Sequence, residues 1–147
     1  MSASQIEHTA GRRWKNGVLN GTVARPANLY LILRTLDGAG GHTADAAADD
    51  TLTNHLNEVA GAGYTRIAIP FDAAHFPETA SGADSILTAA AQTFTFTGSV
   101  NGLTHASLCT TADNTGVLLV TAPLAAVRNV ANGDTLTVTF VWKQTQG

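Results

Sequence analysis

Three side chains within residues 103–109 have the chemistry that nucleophilic catalysis uses. His105 and Ser107 lie two positions apart, so a β-strand would place both side chains on one face. A serine nucleophile also needs an orienting acid and an oxyanion-stabilising donor, and the sequence contains no G-x-S-x-G, H-E-x-x-H, P-loop or G-x-G-x-x-G motif. We therefore predict that His105 is a hydrogen-bonded structural residue. Cys109, the single cysteine, lies in an apolar stretch and is predicted to be a buried, inert thiol.

Sequence patterns that bind metals or cofactors are missing as well. Asp45, Asp49 and Asp50 form an acidic cluster, but they lack the D-x-D-x-D-G alternation of a calcium-binding loop. A zinc site needs histidine or cysteine ligands at short, regular spacing. The five histidines are instead scattered along the chain, as His8, His42, His55, His75 and His105. We predict that the protein is not an enzyme and uses no metal and no cofactor.

Charge is sparse in this sequence and is unevenly distributed. Charged residues make up 13% of the 147 residues, against about 25% in an average globular protein. Alanine occurs 25 times, threonine 21 times and lysine only twice. A surface with so little charge predicts packing against neighbouring subunits, so we expect a homo-oligomer, either a dimer or a trimer. The net charge of −3 argues against direct contact with nucleic acid.

The first 34 residues differ in charge from the rest of the chain. They hold five basic residues and one acidic residue, whereas residues 35–147 hold three basic and ten acidic residues. We interpret residues 1–27 as an N-terminal basic arm. Tryptophan and arginine are enriched at interface hot spots, so the candidate assembly contacts are Arg12, Arg13, Trp14 and Lys15. The alternatives are a disordered tail, a local strand that packs Trp14 on its own domain, and contact with packaged nucleic acid.

Two further observations concern location. The N-terminus lacks the apolar core of a signal peptide. No window approaches 18 consecutive apolar residues, so no membrane span is predicted. We expect the protein to be made in a cytoplasm-like compartment.

Residues 28–147 are predicted to form one all-β domain, an antiparallel β-sandwich with a jelly-roll-like arrangement and at most one short helix. Asp49 and Asp50 precede apolar residues at helical spacing, which favours a short helix ending before Gly61. Residues 42–63 and 73–84 are otherwise predicted to be loops. Period-2 alternation and turn residues predict strands over 28–35, 64–70, 93–97, 103–109, 117–121, 127–130 and 135–142. Asn132-Gly133 is the strongest hairpin signal.

An ordered series of short motifs runs through residues 16–142 of this chain. It comprises Asn20-Gly21, the strand NLYLILRT, Glu58-Val59, Tyr64-Thr65-Arg66, the stretch 103–108, Thr115-Gly116-Val117, Pro123-Leu124 and Asn132-Gly133-Asp134. In this order the series resembles a family of small tailed-bacteriophage virion structural proteins, often described as tail-fibre-like. The sequence departs from the pattern in the insert 42–57 and in the longer loop 73–84.

The resemblance implies a β-sandwich building block that is repeated in a virion and has no catalytic residues. Within that class we favour a capsid decoration (cement) protein, made in the host cytoplasm, that bridges subunits of the major capsid protein. The first alternative is a tail or tail-fibre component. The second is a receptor- or glycan-binding module on the virion, which the small number of tryptophan and tyrosine residues disfavours.

Overall fold

A computed structural model of the chain describes residues 5–35, 51–53 and 57–144. These residues form ten strands and one helix. In chain order they are β1 (Ile6–Glu7), α1 (Thr9–Leu19), β2 (Asn28–Thr35), β3 (Ile67–Pro70), β4 (Glu78–Ser81), β5 (Asp84–Thr88), β6 (Gln92–Thr95), β7 (Val100–Cys109), β8 (Leu118–Val130), β9 (Thr135–Val138) and β10 (Val141–Gln144).

The strands pair antiparallel throughout. They form a five-stranded sheet of order β1-β8-β7-β2-β3, a three-stranded sheet of order β10-β5-β4 and a two-stranded sheet, β6-β9. The prediction of an all-β antiparallel sandwich with one short helix is therefore confirmed. A jelly roll has eight strands arranged as two Greek keys, and the division into five, three and two strands in the described residues does not confirm that part of the prediction.

The five-stranded sheet is covered on both faces. Leu29, Leu31 and Leu33 of β2 point into the main core, whereas Ile32 belongs to a second cluster with Leu52 on the opposite face. Burial on two faces explains why this strand is a continuous apolar run instead of an alternating one. The main core is completed by Phe94, Phe96, Val138, Phe140 and Trp142 from the strands of the smaller sheets, as their period-2 spacing predicted.

Pairing between strands differs from the prediction at the C-terminal end. The chain does turn at residues 131–134, where Asp134 N–H donates to Ala131 O over 3.0 Å and Gly133 has a φ of +89°. The flanking strands do not pair with each other, because β8 pairs with β7 and β9 pairs with β6. The single strand predicted over 135–142 is likewise divided, and β9 and β10 lie in different sheets.

Two predicted loops also differ from the structure. Residues 73–84 contain β4, which forms a hairpin with β5. Part of the helix predicted after Asp49 lies outside the described residues, and its described residues, 51–53 and 57–60, are not helical. Residues 57–59 instead lie along β2, where Thr35 N–H donates to Asn57 O over 2.9 Å and Val59 N–H donates to Leu33 O over 3.0 Å.

Residues 9–19 form a docked helix where an N-terminal arm was predicted. The buried residues of α1 are Gly11, Trp14 and Gly17, which recur every third position and define one face. That face packs against β8, and a Cβ atom at Gly11 would lie 2.8 Å from the Cα atom of Leu119. Glycine is therefore required there by the close approach of two backbones, and not by its own φ angle.

A Gly11→Ala substitution should lower the free energy of unfolding by about 1–3 kcal/mol, because the added methyl group overpacks this contact. Helix propensity alone predicts the opposite sign, since alanine stabilises an exposed helix by about 1 kcal/mol relative to glycine. Urea denaturation followed by circular dichroism measures the difference. Asn16→Ala on the exposed face of α1 is the matched control and should change stability little. Equal or greater stability of Gly11→Ala would contradict the close approach.

Candidate assembly surface

The four predicted contact residues all lie on α1 but have different surroundings. Arg12 donates to Glu7 O over 2.7 Å and to Thr9 Oγ1 over 3.1 Å, and its side chain is exposed. Arg13 is exposed and forms no hydrogen bond or ion pair with any described residue. Trp14 and Lys15 are tied into the domain. Of the three cations, Arg13 is thus the one that forms neither a hydrogen bond nor an ion pair with the described residues.

Trp14 is part of the core of its own domain. It is 8% exposed, and its ring lies 6.2 Å from that of Phe71, which in turn makes an edge contact with Phe76 at 5.4 Å. Arg25 lies over the Phe71 ring at 4.7 Å and donates to its carbonyl oxygen. This arrangement matches the alternative in which Trp14 packs on its own domain, although as part of a helix and not of a strand.

A carboxylate, Glu7, joins the helix to two strands. Its Oε2 atom accepts hydrogen bonds from Lys15 Nζ at 2.8 Å, Trp142 Nε1 at 3.0 Å and Gln144 Nε2 at 3.3 Å. Lys15 also donates to Gln144 Oε1 and lies 5.7 Å from the centre of the Trp142 ring. Burial by itself raises the pKa of Glu7, but the hydrogen bonds from Lys15 and Trp142 outweigh burial and hold the pKa below its usual value.

The remaining surface of α1 combines an unpaired cation with exposed apolar groups. Leu19, at the C-terminal end of the helix, is 85% exposed. It borders a groove of 380 Å³ between α1 and the three-stranded sheet, which we call the α1 groove. The groove is lined by Trp14, Val18, Leu19, Phe71, Leu87 and Trp142 among others. Exposed apolar surface next to a concave region is typical of a protein contact.

A second polar network connects residues 58–66 with the turn before β8. Arg66 forms a two-pronged ion pair with Glu58, at 2.9 Å through Nε and 2.7 Å through Nη2. Tyr64 donates to Glu58 Oε2 over 2.8 Å. Arg66 also donates to the carbonyl oxygens of Thr111 and Asp113, so one guanidinium connects three segments of chain. Burial is the largest cause that raises the pKa of Tyr64, and the negative charge of Glu58 is the second. The Tyr64 hydroxyl and the Glu58 carboxylate therefore stabilise the fold.

The residues considered for nucleophilic catalysis are buried. Ser107 and His8 both hydrogen-bond to Thr121 Oγ1, at 2.6 and 2.8 Å, and all three are at most 2% exposed. His105 pairs with Thr104 Oγ1 at 2.9 Å and not with Ser107. Cys109 is fully buried, as predicted, and burial raises the pKa of its thiol to about 11, so the thiol is protonated at neutral pH.

No group of three or more histidine, cysteine, aspartate or glutamate side chains could hold a metal ion in the part of the chain that the structure describes. Among the described residues, no helix has the length and apolar character needed to cross a membrane.

Replacing Glu7 by glutamine should lower the free energy of unfolding at pH 7 by about 1–2 kcal/mol, because hydrogen bonds to a charged acceptor are lost. The lowered pKa means that wild type has this stabilisation above about pH 4.5 and loses it as pH falls through the folded-state pKa. The difference between the two proteins should therefore shrink in acid, as measured by urea denaturation from pH 7 to pH 3. Glu78→Gln, which alters an exposed carboxylate, is the control. A difference that is constant with pH would contradict the assignment.

Comparison with known proteins gives one family. No functionally curated protein matches the sequence. The family described as Podophage GP4 fiber I protein gp80 matches residues 6–142, which span the helix, all ten strands except the end of β10, and both polar networks apart from Gln144. The chain therefore belongs to this family of fibre proteins and to the structural proteins of the bacteriophage virion.

Proposed function

We propose that this protein is a non-enzymatic tail-fibre component of a podophage virion, which works by packing on neighbouring virion proteins and on copies of itself. The observation that carries the proposal is the family match over residues 6–142, because the family is described as a fibre protein. The composition adds support, since few charges and many threonine residues suit a protein whose surface is covered by neighbours.

The capsid cement role, our first expectation from the sequence, has less support than the fibre alternative. A cement protein would contact subunits of the major capsid protein over the whole shell, whereas a fibre component occupies one or a few sites on the particle. The family description favours the second. Location on the capsid surface and the major capsid protein as partner stay predictions.

A receptor- or glycan-binding role needs side chains that a ligand can reach. Sugar recognition commonly uses exposed aromatic rings, but the large hydrophobic residues exposed in the described part of the chain are Leu19, Val127 and Val141. Trp14 and Trp142 are 8% and 2% exposed. Aliphatic exposed groups suit contact with a protein better than contact with a sugar, which supports assembly as the role.

The attachment surface that we propose is the exposed side of α1 with the α1 groove. It offers an unpaired charge at Arg13 and an apolar side chain at Leu19. A partner with a carboxylate near an apolar side chain would complement both. Arg12 borders this surface. Trp14 and Lys15 hold α1 in place beneath it, Trp14 by packing in the main core and Lys15 by its hydrogen bond to Glu7.

Location can be tested by electron microscopy of phage particles carrying a gold-labelled affinity tag after Gly147. The fibre proposal predicts label at the tail or at a single vertex. Antibody labelling of untagged particles controls for an effect of the tag. Label spread over the whole shell by both methods would contradict the fibre proposal and support the cement role.

Changes on the exposed side of α1 should reduce assembly without unfolding the domain. Arg13→Glu and Leu19→Glu should each lower incorporation into particles at least tenfold, because a buried like charge or an unpaired charge costs about 1.4 kcal/mol or more at an interface. Incorporation is measured by quantitative immunoblotting of purified particles, and thermal melting of the isolated variants checks the fold. Ser99→Glu, at an exposed site in the loop between β6 and β7, is the control. Normal incorporation of both α1 variants would contradict this surface.

A further inference from the structure

A second cavity lies beside the main core, because Ala106, Val138 and Phe140 belong to that core and line the cavity. It measures 340 Å³ and separates β8 from β9 and β10; we call it the β8–β9 cleft. Residues 122–125 line one wall and residues 136–141 line the other. A strand contributes only alternate residues to one of its faces. Because consecutive residues line each wall of the cleft, the cleft is bordered by strand edges.

The strand edges at this cleft have no partner strand. β1 pairs with β8 only at Val120 and Thr121, so the same edge of β8 has no partner strand from Ala122 onwards in the described structure. Pro123 on this edge can accept a hydrogen bond but has no N–H to donate. β9 pairs only with β6, which leaves it one free edge. β10 pairs only with β5, and the Gln5 side chain occupies part of its other edge, where it donates to Val141 O and accepts from Lys143 N–H, both over 3.1 Å. Free edges carry backbone N–H and C=O groups that can accept an added strand.

A bulge in β8 makes this surface apolar. Between the pairs His105–Pro123 and Leu103–Arg128, β8 has four residues, 124–127, where β7 has one. Val127 in the bulge is 56% exposed, and Val141 across the cleft is 42% exposed. Two of the three large exposed hydrophobic residues in the described structure therefore lie at or beside the cleft.

Arg128 is the charged residue that lines the cleft, and it is unpaired. Six of the eight cations of the protein are bonded within the domain: Arg12, Lys15, Arg25, Arg34, Arg66 and Lys143. Only Arg13 and Arg128 form no hydrogen bond or ion pair with the described residues. A segment that fills the cleft should therefore be extended, apolar or small in its side chains, and should carry one carboxylate.

One segment of the protein has these properties. β4 is a free edge of the three-stranded sheet, and all four of its residues, Glu78-Thr79-Ala80-Ser81, are exposed. Glu78 Oε1 accepts a hydrogen bond from Ser85, which leaves Oε2 available. The other free edges in the described structure do not fit, because β3 and β6 have no charged residue and the carboxylate of β1, Glu7, is already bound by Lys15 and Trp142.

We propose that β4 of a second copy of this chain adds as a strand at the β8–β9 cleft and places its Glu78 against Arg128. The contact joins two different surfaces, so each copy both donates a strand and accepts one, and repetition of the contact produces a closed oligomer or a filament. This inference rests on the proposed function in one respect, since a fibre is built from repeated subunits. The surface itself is independent of where the particle carries the protein.

Charge reversal tests the proposal in the isolated full-length protein. Sedimentation equilibrium should show self-association of wild type and at least a tenfold weaker association for Arg128→Glu and for Glu78→Arg, because each places like charges together. The double variant, Arg128→Glu with Glu78→Arg, should recover association to within about threefold of wild type. Ser99→Glu, at an exposed site that neither lines the cleft nor belongs to β4, also adds a negative charge and should associate as wild type does. Thermal melting verifies that each exposed-site variant is folded.

Three results would overturn the proposal. The first is a wild type that stays monomeric even at 100 times the concentration used for the variants. The second is a single charge-reversal variant that associates as wild type does. The third is a double variant whose self-association is not restored. None of these bears on the particle-labelling result, so failure of this contact and failure of the fibre proposal are distinguishable.

Discussion

The close approach of α1 to β8 is the constraint on which the rest of the N-terminal structure depends. Because Gly11 lies directly against the backbone of Leu119, the helix sits low enough for Trp14 to enter the main core. The same position brings Lys15 to Glu7, which is held in turn by Trp142 of β10. A larger residue at position 11 would move the helix away from β8. This would disturb both the packing of the core and the hydrogen bonds to Glu7, so both depend on the absence of a side chain at Gly11.

Prediction from the sequence succeeded where local periodicity and final burial agree. The alternation in 93–97 and 135–142 placed Phe94, Phe96, Val138 and Phe140 inward, as the structure has them. Prediction from the sequence missed the helix α1. Its two glycines weaken helix propensity, and the helix is stabilised by contact with the sheet. The buried stripe of Gly11, Trp14 and Gly17 was the available signal. It failed also for strand pairing after Gly133, because a turn residue fixes local geometry while the partner strand is chosen by long-range packing.

The motifs that carry the family resemblance act mostly on the fold. Glu58, Tyr64 and Arg66 form one hydrogen-bonded network, and Arg66 extends it to Asp113 in the turn before β8. An ion pair this little exposed fixes geometry, and breaking it would leave a charge without its partner. Recognition of the family from these residues therefore predicts the architecture well. The resemblance does not identify the assembly contacts that we propose, because these involve residues that the fold itself leaves without a partner.

The distribution of cations shows which residues those are. In a chain with eight basic side chains, the basic cluster at residues 12–15 suggests a binding arm. In the structure, however, Lys15 forms an ion pair with Glu7, and Trp14 is buried in the main core. The groups that remain for partners are those that the fold does not pair: Arg13 and Leu19 at separate positions on the exposed side of α1, and Arg128 at the β8–β9 cleft. In the two proposals together, a subunit contacts its own copies through the β8–β9 cleft and a different virion protein through the exposed side of α1. A repeated structural protein of a fibre needs both kinds of contact.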